Sequence, residues 1–156
     1  DGATHANAGL INLLGGAIDF GGGTLVNAAA GRIAGRGMIR TGALDNAGSV
    51  LLSAGAADVH GAISNQSGGK VIVTGNATAA FYDGLSNAVG SEFRVSTGAT
   101  AVFFGAVSGL SQVTGSGTTV FEGPASFGRI GNRRTTRCNA RDGNRACRCL
   151  MTNGRR

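Results

Sequence analysis

The chain is 156 residues long with a formal charge of +6, and it holds 29 Gly, one Pro and no Trp. That length accommodates one domain with a buried core. The glycines follow no three-residue period, which excludes collagen, and 42% hydrophobic with only 14% charged residues excludes a wholly disordered chain.

The charge is divided unevenly. Residues 1–128 carry five basic side chains (Arg32, Arg36, Arg40, Lys70, Arg94) against seven acidic ones, a net of −2. Residues 129–156 carry nine Arg against Asp142 alone, a net of +8, and all three cysteines. A mildly acidic, cysteine-free body therefore precedes a basic tail.

In chain order, the first mark is Asn7, followed by a small-residue turn with Gly9. The residue recurs as Asn27, Asn46, Asn65 and Asn87, at spacings of 20, 19, 19 and 22. Each is followed by a turn glycine (Gly31, Gly48, Gly69, Gly90) and then an apolar strand start such as Ile33, Val50, Val71 or Phe93. Asn and Gly suit such a position because both tolerate a left-handed backbone. Stacked Asn side chains can also bond their counterparts in coils about 4.8 Å apart.

From residue 50 the repeat is explicit. A shift of 22 lays Lys70–Ser86 on Glu92–Ser108, matching Val71 with Phe93, Val73 with Val95, Phe81 with Phe103, Tyr82 with Phe104 and Leu85 with Val107. One coil earlier, Val50 and Leu52 answer Val71 and Val73, and Ile63-Ser64-Asn65 answers Leu85-Ser86-Asn87. Thr119-Val120-Phe121-Glu122-Gly123 echoes Ala101-Val102-Phe103-Phe104-Gly105. The strands within each coil are short and alternate, which is a β signal. No single coil can bury its own face, so stacking must make the core.

These periods predict an all-β chain. Residues 1–128 form a right-handed parallel β-helix, or solenoid, of about six coils of roughly 19–22 residues. Val71 is then the parallel neighbour of Phe93, Phe81 of Phe103, and Leu85 of Val107. The chain opens inside repetitive sequence, which reads as part of a longer array. Residues 129–156 form a disordered basic tail, because clustered Arg repel and the only large aliphatics are Ile130, Leu150 and Met151.

The body, with its phrases GSEFRVSTGATAVFFGAVSG (90–109) and GSGTTVFEGPASFG (115–128), resembles the repetitive passengers of bacterial surface proteins. These are the β-strand repeats of autotransporters and of PEP-CTERM-sorted exported proteins. The resemblance implies an exported, non-catalytic stalk or adhesive surface. Its partners would be cell-envelope or extracellular surface components, with self-association through the solenoid ends and a secreted or cell-surface location.

Motifs that could carry chemistry are thin. Ile18–Val26, IDFGGGTLV, resembles the phosphate-binding turn of the sugar-kinase ATPase fold, but that fold needs two large lobes; here the segment suits a coil corner. Ser67-Gly68-Gly69-Lys70 lacks the hydroxyl residue a P-loop places after its Lys. His5 and His60 lie 55 residues apart without a nucleophile motif, and His60 aligns near the column of Phe81 and Phe103. β-Helix lyases and glycosidases cluster acids on one face, whereas Asp19, Asp45, Asp58 and Asp83 fall one per coil. Thr24, Thr78, Thr100 and Thr119 form one candidate threonine rank, and Asn65-Gln66-Ser67 and Asn76-Ala77-Thr78 match the N-glycosylation sequon.

In the tail, C-x8-C-x-C is no zinc pattern and no His accompanies it, while the Arg cluster only weakly favours nucleic acid. The expectation is therefore a non-enzymatic chain with no cofactor, no metal and no membrane-spanning segment. The rival reading is a carbohydrate-active β-helix enzyme whose catalytic coils lie elsewhere.

Overall fold

The computed structural model describes residues 2–110 and 113–126, and the backbone of residues 137–139 and 148–152. The body strands are β1 (Thr4–Asn7), β2 (Leu10–Asp19), β3 (Thr24–Asn27), β4 (Arg32–Asn46), β5 (Ser49–Asn65), β6 (Lys70–Thr74), β7 (Thr78–Phe81), β8 (Leu85–Asn87), β9 (Glu92–Val95), β10 (Thr100–Phe103), β11 (Val107–Ser108), β12 (Val113–Thr114) and β13 (Thr118–Phe121). Among the described residues there is no helix, and none therefore long and apolar enough to cross a membrane. All pairings within the body are parallel and join one coil to the next, so the body is a parallel β-solenoid of about six turns.

Each coil has three faces. The first stacks β1, β3, residues 43–46, residues 62–65, β8 and β11. The second stacks the start of β2, of β4 and of β5 on β6, β9 and β12. The third stacks residues 17–19, 38–40 and 57–59 on β7, β10 and β13. Val71 pairs with Phe93, Phe81 with Phe103 and Leu85 with Val107, as the 22-residue shift requires.

Alternation decides which side chains enter the core. One inner column runs Leu25, Leu44, Ile63, Leu85, Val107; another runs Ile33, Val50, Val71, Phe93, Val113; a third runs Ile39, Val59, Phe81, Phe103, Phe121. Nearly all of these residues are fully buried. The rings of the third column stack, with centroids 4.8 Å apart for Phe81–Phe103 and 5.3 Å for Phe103–Phe121. Phe93 crosses from the second face to meet Phe103 at 5.2 Å, so aromatic packing binds two faces together.

β4 and β5 are long because the early coils bend at corners without breaking the strand. Gly35 and Gly37 carry φ of 108° and 124°, a backbone that side chains rarely adopt, and Gly35 leaves no room for a Cβ against the Leu13 carbonyl. The later coils turn on separate loops such as Gly75-Asn76 and Gly98.

The segment read as a disordered tail lies mostly outside the described residues. Two short strands are described there, β14 (Arg137–Asn139) and β15 (Arg148–Thr152). They differ from the expectation that this segment adds no strand: β15 pairs antiparallel with β13 and with β14. The physical reason is twofold. β13 is the last parallel strand of its face, and a sheet edge readily takes a further strand, while Cys149-Leu150-Met151 is an uncharged, largely apolar run within the basic segment.

Phe103 is completely buried between Phe81 and Phe121. Phe103→Ala should therefore cost about 3–5 kcal/mol, read as a lower urea midpoint. A midpoint unchanged within error would mean the aromatic column does not hold the coils.

Candidate functional site

Two ordered arrays stand out on the scaffold, one inside and one outside. The inner array is the asparagine column. Each Asn closes a first-face strand, and its side chain turns inward: Asn27, Asn46 and Asn65 are buried and Asn7 nearly so. Nδ2 of Asn7 donates to Oδ1 of Asn27 at 2.8 Å, Asn27 to Asn46 at 2.7 Å, Asn46 to Asn65 at 2.8 Å, and Asn65 to Asn87 at 2.9 Å. The second amide proton goes to a main-chain carbonyl: Arg32, Ser49, Lys70 and Glu92 in turn, at 3.4 to 3.0 Å. Both amide protons of Asn7, Asn27, Asn46 and Asn65 are thereby satisfied within the protein.

One of the two reasons given for this column needs correcting. None of the five asparagines has a positive φ; among the described non-glycine residues only Ala54 and Asn76 do. The column exists for its side-chain bonds. Gly9 of the first coil has open space, whereas Gly31 and Gly69 are required beside the column, since a Cβ on either would collide with a main-chain carbonyl of the coil before and with the side-chain oxygen of Asn27 or Asn65. In the next coil Ser91, not Gly90, takes the equivalent place, opposite Gly69. The ladder ends at Asn87 because the next residue in the column is Gly109, held at φ 71° against the Asn87 backbone.

The outer array lies on the third face. His60 stacks on Tyr82 with centroids 4.3 Å apart and planes 1° from parallel, and Tyr82 stacks on Phe104 at 5.2 Å. Tyr82 and Phe104 are about half exposed. The column continues from His60 to Arg40 and Asp19, which approach one another to 4.0 Å. His60 thus belongs to the outer column of Tyr82 and Phe104, one residue away from the inner column near which the sequence placed it. The Tyr82 hydroxyl donates to Asp58 Oδ1 at 3.3 Å. The Asp58 carboxylate raises the Tyr82 phenol above its ordinary value, because ionisation would set a second negative charge beside it; desolvation and that hydrogen bond add to the effect.

The remaining candidates are scattered. His5 is an inner residue of the first coil, tilted on Phe20 at 5.2 Å, and does not meet His60. Asp19 Oδ1 caps the Gly21 N–H at 2.8 Å, so the IDFGGGTLV segment is a coil corner. Asp83 accepts from the Gly61 N–H at 2.7 Å, and Asp45 lies on the first face in line with Ser64. Asp19 and Asp58 share the third face but sit two coils apart, about 10 Å along the rod. The threonine rank is corrected to Thr78, Thr100 and Thr118; Thr119 is an inner, buried residue and Thr24 lies on the first face. A groove of about 620 Å³ crosses the corner between the second and third faces, with Arg36 over Gly55 and Asp58 on its wall.

Sequence reasoning missed the Asp58–Tyr82 bond and the outer stack. The available signal was Asp58-x-His60 aligned with Ala80-x-Tyr82 and Val102-x-Phe104, an outward pattern at period two. Among the described residues no three His, Cys, Asp or Glu side chains come together to hold a metal ion. No family model, curated protein or solved structure matches the chain.

Two measurements check these arrays. Asn46→Ala removes bonds to two neighbouring asparagines and one carbonyl, leaving buried groups unsatisfied at about 1–3 kcal/mol each. It should lower the urea midpoint more than Asn87→Val, which removes one acceptor at the half-buried end at a cost of about 1 kcal/mol. Equal effects would mean that no ladder operates. Tyr82 is the sole tyrosine, so phenolate absorbance reports it alone. Its folded value is raised, so the contact with Asp58 is intact below the unfolded phenol's range and is lost as pH climbs through the folded value. Asp58→Asn should lower the alkaline midpoint, and no change would disprove the coupling.

Proposed function

We propose that this chain is a non-catalytic, exported structural or adhesive solenoid segment, displayed or secreted at a cell surface and meeting envelope or extracellular components through its outer faces. The observation that carries this reading is where the ionisable groups go. Asp19, Asp58 and Asp83 are each bonded to the scaffold or to a neighbouring column, and they sit on separate coils. Paired carboxylates of a glycosidase stand roughly 5–9.5 Å apart across one bond. The regular outer ranks of the third face, Thr78–Thr100–Thr118 and Tyr82–Phe104, offer instead a continuous contact surface built by repetition.

The purified full chain should leave polygalacturonate and other soluble polysaccharides unchanged over long incubations, by reducing-end assay. Turnover that disappears in Asp58→Asn or Asp19→Asn would establish the carbohydrate-active reading and end this one.

A further inference from the structure

The two N-glycosylation sequons stand in opposite environments. Asn65, of Asn65-Gln66-Ser67, is 1% exposed, and both of its amide protons are in use, one on Asn87 and one on the Glu92 carbonyl. A glycan would replace one of those protons and force a sugar into the core. Asn76, of Asn76-Ala77-Thr78, lies in the corner turn between β6 and β7, at φ 58° and exposed to solvent. Among the described residues no hydrogen bond to its carboxamide is found. It rests instead over Gly98 of the next coil, where the missing Cβ leaves space.

We infer that Asn76 is an N-glycan acceptor site and that Asn65 is not one in the folded protein. The reaction is attack of the Asn76 Nδ2 on the anomeric carbon of a glycosyl diphosphate donor. A carbon–nitrogen bond forms, the carbon–oxygen bond to the diphosphate breaks, and the amide loses one proton. Enzyme and donor are an N-glycosyltransferase that reads Asn-x-Ser/Thr and its activated sugar. Ala77 is completely buried, so transfer must precede packing of this coil, and the folded solenoid then carries the sugar on its ridge. The two sites differ in the outcome of folding: a chain modified at Asn76 closes normally, whereas one modified at Asn65 breaks the ladder.

The test is secretion of the full chain, behind a cleavable signal, from a eukaryotic host whose secretory pathway glycosylates these sequons. Glycosidase release in heavy-oxygen water then marks each modified Asn for mass spectrometry. The folded, secreted fraction should carry the mark at Asn76 and lack it at Asn65. Thr78→Ala should abolish the mark while leaving Asn76 in place, and Thr78→Ser should restore part of it. Thermal midpoints of the glycosylated chain and of Asn76→Gln should agree within a few degrees. Folded protein unmodified at Asn76, or modified at Asn65, would overturn the assignment.

Discussion

The interaction on which the rest depends is the hydrogen bond between side-chain amides, repeated from coil to coil. A solenoid coil is too small to bury its own apolar face, so its stability comes from its neighbours. Apolar columns supply most of that energy, but they are tolerant of sliding, because Leu25, Leu44 and Ile63 differ little in shape. The ladder from Asn7 to Asn87 is not tolerant. Each amide donates at 2.7–2.9 Å to the next, and a slip of one residue would place a polar amide outside and a serine or aliphatic side chain in its place. The ladder therefore fixes register, and register places both the inner phenylalanines and the outer aromatic rank.

That division explains how the two arrays relate. The outward column of the first face runs Ala6, Val26 and Asp45 in the early coils and Ser64, Ser86 and Ser108 in the later ones. Facing outward beside the inner phenylalanines are Ala80, Tyr82, Val102 and Phe104. In the later coils the first face is thus small and hydroxylic, and the third is broader and more aromatic. One strand rule, applied to two faces with different inner residues, gives the rod two unlike sides.

Legibility in the sequence followed the regularity of the corners. The coils joined by a 22-residue shift keep the same corner loops, so Val71–Phe93, Phe81–Phe103 and Leu85–Val107 could be aligned from letters alone. The early coils bend within β4 and β5 at Gly35, Gly37 and Gly55, with register shifts between Gly35 and Gly37 and between Arg40 and Ala43. Such irregularities move the alignment by a residue, and in a strand one residue is the difference between inside and outside. That is why His60 falls near the wrong column in the sequence alignment; Thr119 is different, because the echo of Ala101-Val102-Phe103 by Thr119-Val120-Phe121 already places it inward and only the threonine rank set it outside. The left-handed asparagine was a plausible turn rule applied to residues that are in strand. The pairing of β15 with β13 could not be aligned from the repeat, since residues 129–156 share no period with the body, and the short Cys149-Leu150-Met151 run was its one trace in the sequence.

The ladder and the strand pairing have a mechanical consequence. Both sets of hydrogen bonds point along the rod, while the chain itself runs around it. A pull on the two ends of the chain concentrates its load on the bonds at the free edge of the terminal coil, and these peel open in succession while the same force is shared among all the bonds of the next coil. Each released coil of about 20 residues yields up to roughly 65–70 Å of slack chain, many times its own rise of about 4.8 Å. Under sustained tension the rod pays out one coil at a time, as a rope leaves a capstan.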